Sequence, residues 1–134
     1  MALRFTLLTD HYDFLAYVDG NRNGVLSRDI QSGVDRPVQS ADRLSDHFPG
    51  VDFGALPGLP AVDPSSTPPA SDPIRLGSSD MVSFAPAGTA TSGSLYIRGQ
   101  RNAQYVVRVY GETGKTRVLK FNVRSGQWIS VSDM

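Results

Sequence analysis

The chain has 134 residues, 40% of them hydrophobic, and a formal net charge of zero, which is typical of one folded domain with its own core. It contains no cysteine, so disulfides and thiolate chemistry are excluded. No apolar run of the printed sequence has the 18 or so residues that a bilayer-spanning helix needs. A single domain over residues 1–134 is therefore the first expectation.

The charge is unevenly distributed along the chain. Residues 1–90 carry six basic and eleven acidic side chains, a net −5, whereas residues 91–134 carry seven basic and two acidic ones, a net +5. Such an asymmetry predicts a basic face that meets an acidic partner or a nucleic-acid backbone. A solvated sheet face, balanced by the acidic half, is the alternative.

In chain order, the first two elements predict a hairpin. "LRFTLLTD" and "DFLAYVDG" are short, apolar and rich in strand-forming residues, and the turn formers of residues 10–13 separate them. The second strand would deliver Asp19 to a loop.

The middle of the chain predicts loops with two short helical turns. "LSRDIQSG" favours one turn of helix, with Ser27 as the N-cap and Gly33 ending it, and "SADRLSDHF" favours a second. Residues 54–73 are rich in Pro, Ser and Asp without periodicity, so we expect an irregular surface loop there.

The last third predicts a β-meander over residues 81–131. Five β-prone segments follow one another with Gly-bearing turns between them, and "TRVLKFNV" alternates in side-chain character. The fold class expected is mainly β: an antiparallel, sandwich-like pair of sheets with long irregular loops and one or two short helical turns.

The loop "DGNRNGVLSRDI" (19–30) resembles a calcium loop. Asp19, Asn21 and Asn23 occupy the first, third and fifth positions, and Gly24 occupies the sixth. Asp29 stands at the eleventh position, and Ile30 stands where a bidentate Glu should close the cage. A Ca²⁺ site on Asp19, Asn21, Asn23 and Asp29 is one interpretation; a tight turn in which Asx side chains bond their own backbone is the favoured one.

Enzyme motifs are weak. "YGETGKT" lacks the first glycine of a phosphate loop, because residue 109 is Val, and a strand rather than a helix follows it. The two histidines, His11 and His47, have no metal-ligand spacing, and the nearby acidic pairs are typical of turns and helix ends. No catalytic residue and no enzymatic activity are predicted.

Four segments resemble the periplasmic domain of GspH/FimT-type minor pseudopilins: "YVDGNRNGVLSRDI", "GVDRPV", "IRLGSSDMVSFAPAGTATSGSLYIR" and "YVVRVYGETGKTRV". The most specific positions are Phe84, Pro86, Gly88, Gly93, Leu95 and Ile97, followed by Gly114, Lys115 and Arg117. The resemblance covers residues 14 to about 121, except 54–73. Members of that family begin with a cleaved leader and a long hydrophobic helix, so this sequence corresponds to their globular head.

The resemblance implies a non-catalytic protein at the periplasmic face of the bacterial inner membrane. It would bind other pseudopilins or pilins in a type II secretion pseudopilus or a type IV pilus. Some pilus relatives bind DNA for uptake through a Gly-Arg-x-Arg region, which gives an alternative function. Lys115 and Arg117 fall on the matching positions, and the further candidate DNA-binding residues are Arg98, Arg101, Lys120 and Arg124.

Overall fold

The computed structural model describes residues 1–62, 67–76 and 80–131. Strands make up 41% of the protein and helices 11%, and the strands form two antiparallel sheets, which confirms the predicted mainly β fold. Among the described residues, no helix is long and apolar enough to cross a bilayer.

In chain order the elements are β1 (Ala2–Leu7), β2 (Tyr12–Val18), α1 (Ser27–Ser32), β3 (Arg36–Pro37), β4 (Asp42–Arg43), α2 (Leu44–His47), β5 (Asp52–Phe53), β6 (Ile74–Arg75), β7 (Met81–Ser83), β8 (Gly93–Arg98), a 3₁₀ turn (Gln100–Asn102), β9 (Gln104–Tyr110), β10 (Lys115–Asn122) and β11 (Gln127–Ser130).

The first sheet grows from the predicted hairpin. β1 pairs with β2 along its whole length, from Ala2 opposite Tyr17 to Leu7 opposite Tyr12. β3 and β4 pair with the other edge of β2, and β7 pairs with β1. The prediction of one meander over 81–131 is therefore wrong at its start, because β7 belongs to this sheet.

The second sheet has the strand order β11-β10-β9-β8-β5, and β6 also pairs with β8. The run from β8 to β11 is a true meander, because each strand pairs with the next along the chain. On β9, Val106 packs in one core and Val107 against the other, because a pleated strand presents alternate residues to opposite faces.

The main core lies between the sheets. It joins Phe5, Tyr12 and Val82 of the first sheet to Leu95 and Val109 of the second. Phe53 of β5 bridges them, with its ring edge-to-face on Phe5 at a centroid distance of 5.3 Å. This apolar contact is what makes the two sheets one body.

The outer face of the second sheet is covered by the segment that follows β5. Leu59 is buried against Tyr96, Val106 and Leu119, and Trp128 packs at the margin of the same cluster. The predicted irregular loop over 54–73 thus has no regular elements in its described part, yet it contributes to a second core. Residues 63–66 of that loop lie outside the described residues.

The helix α1 covers the opposite face of the first sheet. Val25 and Ile30 pack against Ala2, Tyr17 and Met81. Gly33 ends the helix in the left-handed conformation with φ of 83°, as predicted. The predicted N-cap is wrong by one residue, because Leu26 occupies that position without a side-chain cap and Ser27 is the first helical residue.

Candidate binding surfaces

The loop after β2 is closed by its own backbone. The Asp19 carboxylate accepts hydrogen bonds from the backbone N–H of Gly24 at 2.7 Å and of Asn21 at 3.2 Å. Partial desolvation raises the pKa of Asp19, but the N–H groups of Gly24, Asn21, Arg22 and Asn23 together hold that pKa below its ordinary value. This is the Asx-type turn favoured by the sequence.

Asp35 is the buried anchor of this loop, and the sequence analysis missed it. Its side chain is 1% exposed and accepts the N–H of Gly20 at 2.8 Å and of Leu26 at 3.0 Å. Gly20 also approaches this segment closely, since a Cβ there would lie 1.9 Å from the Val34 carbonyl oxygen. The only sequence signal was an Asp inside the motif "GVDRPV", which by itself does not indicate a bond made fifteen residues away.

Both carboxylate oxygens of Asp19, the first candidate calcium ligand, already accept backbone N–H groups. Asp29 is buried, and its carboxylate accepts a hydrogen bond from the Asn21 side-chain amide at 3.3 Å. Within the described ranges, no group of three or more His, Asp or Glu side chains has the arrangement of a metal site. The Ca²⁺ site stays a prediction, and a thermal unfolding midpoint unchanged by calcium would contradict it.

The β9–β10 hairpin carries Lys115 and Arg117, the two cations of the motif. Lys115 and Arg117 are exposed and share one face of β10, because they are two residues apart. Arg117 lies directly opposite Arg108 of β9, and Lys115 lies opposite Tyr110. The Arg108 guanidinium also sits over the Tyr110 ring, 5.5 Å from its centroid. Arg108 therefore joins this site, which we call the hairpin patch (Lys115, Arg117, Arg108).

Arg108 was missed as a candidate, although its signal is present in the sequence. It lies in the alternating strand "QYVVRVY", and only the register of the hairpin places it beside Arg117. Like charges placed directly opposite each other on a sheet are destabilising. Arg108 therefore adds positive charge beside Arg117 at some cost in stability.

The other predicted basic residues lie outside the hairpin patch. Arg101, Lys120 and Arg124 line a groove of about 640 Å³ at the far end of β10. Lys120 is three residues from Arg117, so it points to the opposite face of the sheet. Arg98 lies in neither group; its Nη2 donates to Asn102 Oδ1 at 3.0 Å. The single basic surface suggested by the sequence is therefore two surfaces.

The histidines lie in acidic surroundings. His11 bonds Asp10 at 2.7 Å through Nδ1 and lies 3.1 Å from Asp13 through Nε2, and His47 Nε2 lies 3.1 Å from Asp42. The His11 contact holds the pKa of the exposed Asp10 carboxyl below its ordinary value. The described partners of both histidines are thus surface carboxylates. The absence of enzymatic activity stays a prediction.

Comparison of the chain with protein-family models, with curated proteins and with solved structures finds no match. The class that the fold and surfaces define is a mainly β protein of two antiparallel sheets, with basic side chains displayed at both ends of its second sheet.

Proposed function

We propose that the chain is the globular head of a GspH/FimT-type minor pseudopilin and that it acts by binding other pilins. It would do so at the periplasmic face of the bacterial inner membrane, in a type II secretion pseudopilus or a type IV pilus. The protein in this role is an assembly component and carries out no catalysis.

One observation carries the proposal: the glycines of the motif that resembles this family are required by the backbone. Gly93 leaves no space for a side chain, because a Cβ would lie 2.4 Å from the Arg75 carbonyl oxygen. Gly88 and Gly114 have φ of 92° and 69°, in the left-handed region that favours glycine. A Cβ on Gly114 would also lie 2.7 Å from the Gly88 carbonyl oxygen.

These glycines explain why the motif has its spacing. The segment between β7 and β8 crosses from the first sheet to the second, and a bridge between Phe84 and Ala90 closes its turn. That turn then packs against the β9–β10 turn, where Gly88 meets Gly114. The quoted motif is thus a signature of how two sheets are joined, which supports a shared head fold rather than a chance likeness.

Cross-linking in cells tests the assembly function. A photoreactive residue would replace Val123, which is 74% exposed, or Val38 on the first sheet, which is 53% exposed. We expect at least one position to give a covalent adduct with a pilin-type protein encoded beside this gene, identified by mass spectrometry. A protein that is recovered from the cytoplasm and gives no adduct with a pilin at either position would overturn the proposal.

The hairpin patch favours DNA binding as the second candidate function. Three cations on one sheet face can contact successive phosphates, which gives sequence-independent and salt-sensitive affinity. We expect Lys115→Ala/Arg117→Ala to weaken duplex binding about tenfold or more and to lower the salt slope by about 2, because two phosphate contacts are lost.

An electrophoretic mobility shift at low and high salt checks this result. Arg28→Ala/Arg36→Ala is the matched control, since it removes two exposed cations, one on α1 and one on β3. No duplex binding by the wild-type protein at low salt would eliminate the DNA function and leave assembly. Equal losses in the two double variants would exclude the hairpin patch as the site.

A further inference from the structure

The groove at the end of β10 is lined by cations without neighbouring carboxylates. Arg101, Lys120 and Arg124 supply its charge, and the amides of Gln100, Asn102 and Asn122 supply hydrogen-bonding groups. Val123 and Ile129 add apolar surface. No Asp or Glu of the described residues lines it. Its volume, about 640 Å³, lies in the range of grooves that hold a ligand.

The turn that carries Arg101 is held in a costly conformation. Arg101 and Asn102 have φ of 58° and 60°, in the left-handed region that non-glycine residues rarely adopt. Gln100 Nε2 donates to the Pro49 carbonyl oxygen at 2.8 Å, and Arg98 bonds the Asn102 side chain. These hydrogen bonds hold the turn in a backbone conformation that costs free energy. Such conformations are concentrated at functional sites.

The aromatic faces beside the groove are already occupied. The Lys120 ammonium sits over the Tyr105 ring, 5.6 Å from its centroid. The Phe121 ring packs on Trp128 at a centroid distance of 5.2 Å. Proteins that bind single-stranded nucleic acid need open aromatic faces on which bases stack. The groove therefore lacks the open stacking faces of a single-strand binder, and its planar arginine guanidinium groups match carboxylates with two hydrogen bonds.

The last described strand, β11, borders the same groove. Its Ile129 lines the groove, and Arg124 lies in the turn that leads into this strand.

We propose that this groove binds an acidic segment of a partner protein, whose carboxylates bond Arg101 and Arg124. The inference rests on the assembly function proposed above and names the chemistry of the partner. It also gives the net +5 of residues 91–134 a role that is separate from the hairpin patch on the other face.

Fluorescence anisotropy with a labelled peptide of alternating Glu and Val tests the groove. We expect binding at about 0.1 M salt that is lost at about 1 M, because the Debye length shortens from about 10 Å to about 3 Å. Arg101→Gln/Arg124→Gln should weaken binding at least about tenfold, since two charge-assisted contacts are removed. Arg28→Gln/Arg36→Gln is the matched control and should bind as the wild type does. Arg124→Gln alone, in an exposed turn, keeps the test valid if the double variant does not fold.

Three outcomes would overturn the inference: no peptide binding at low salt, equal binding of the Gln-Val peptide, or tighter Arg101-dependent binding of labelled DNA than of the peptide. A failure of this inference and a failure of the proposed pseudopilin function give different results. Pilin adducts without peptide binding would refute the acidic ligand and leave assembly intact. Peptide binding by a protein that gives no pilin adduct would support the groove and refute the pseudopilin function.

Discussion

Gln104→Leu is expected to lower the free energy of unfolding by about 3 kcal/mol, because it leaves several buried polar groups without a hydrogen-bond partner. The Gln104 side chain is 1% exposed. Its Oε1 accepts the N–H of Leu56 at 2.9 Å, and its Nε2 donates to the carbonyl oxygens of Gly54 and Ile97, each at 3.1 Å. This one amide therefore fixes the segment after β5 against the second sheet.

Urea unfolding measures the effect. Leu has nearly the volume of Gln, so the loss would reflect hydrogen bonding rather than a cavity. Gln39→Leu is the matched control, since that side chain is exposed, and we expect a change within about 0.5 kcal/mol. A loss in Gln104→Leu as small as in the control would show that Leu59 and its neighbours hold the segment without the amide.

Asp35→Ala is expected to cost about 2 to 4 kcal/mol of the free energy of unfolding. The substitution removes a buried acceptor from two N–H groups, those of Gly20 and Leu26, and hydrogen bonds to a charged group are the stronger kind. Those two bonds tie the two ends of the Asp19 loop together. We therefore expect the loop and the start of α1 to lose hydrogen-exchange protection before the rest of the protein.

Thermal and urea unfolding measure the loss, and hydrogen exchange locates it. Asp35→Asn keeps one oxygen acceptor in the same shape and should fall between wild type and Asp35→Ala. Asp46→Ala removes an exposed carboxylate and serves as the control. Uniform loss of protection over both sheets, rather than loss that begins in the loop, would contradict the local role of Asp35.

Local patterns predicted the elements well where the cause was local. The β1–β2 hairpin, the β9–β10 hairpin and the helix stop at Gly33 all follow from turn formers and alternation within a few residues. The same patterns failed for β7, because three residues in a strand carry no signal of which sheet they join. Its pairing with β1 brings together residues about eighty positions apart.

The candidate sites likewise include residues that local sequence patterns identify and residues that only the fold brings together. Lys115 and Arg117 were named from the motif alone, and strand geometry then places residues two apart on the same face. Arg108 and the groove of Arg101, Lys120 and Arg124 required the register of the sheet and the path of the turns around it. In the acidic half, Asp10 and Asp13 contact His11 at the surface, whereas Asp35 is buried and bonds a backbone N–H group. Composition alone cannot distinguish these two roles.

The sequence by itself determined that this protein is mainly β, that a tight Asx turn follows its second strand, and that its cations concentrate in the last third. Periodicity, turn chemistry and composition act over a few residues, so they can be read without the fold. Only the tertiary structure decided which cations share a surface, and it separated them onto two faces of one sheet. It also gave Asp35 and Gln104 their importance, since burial and hydrogen bonding to distant segments exist only after the chain has packed.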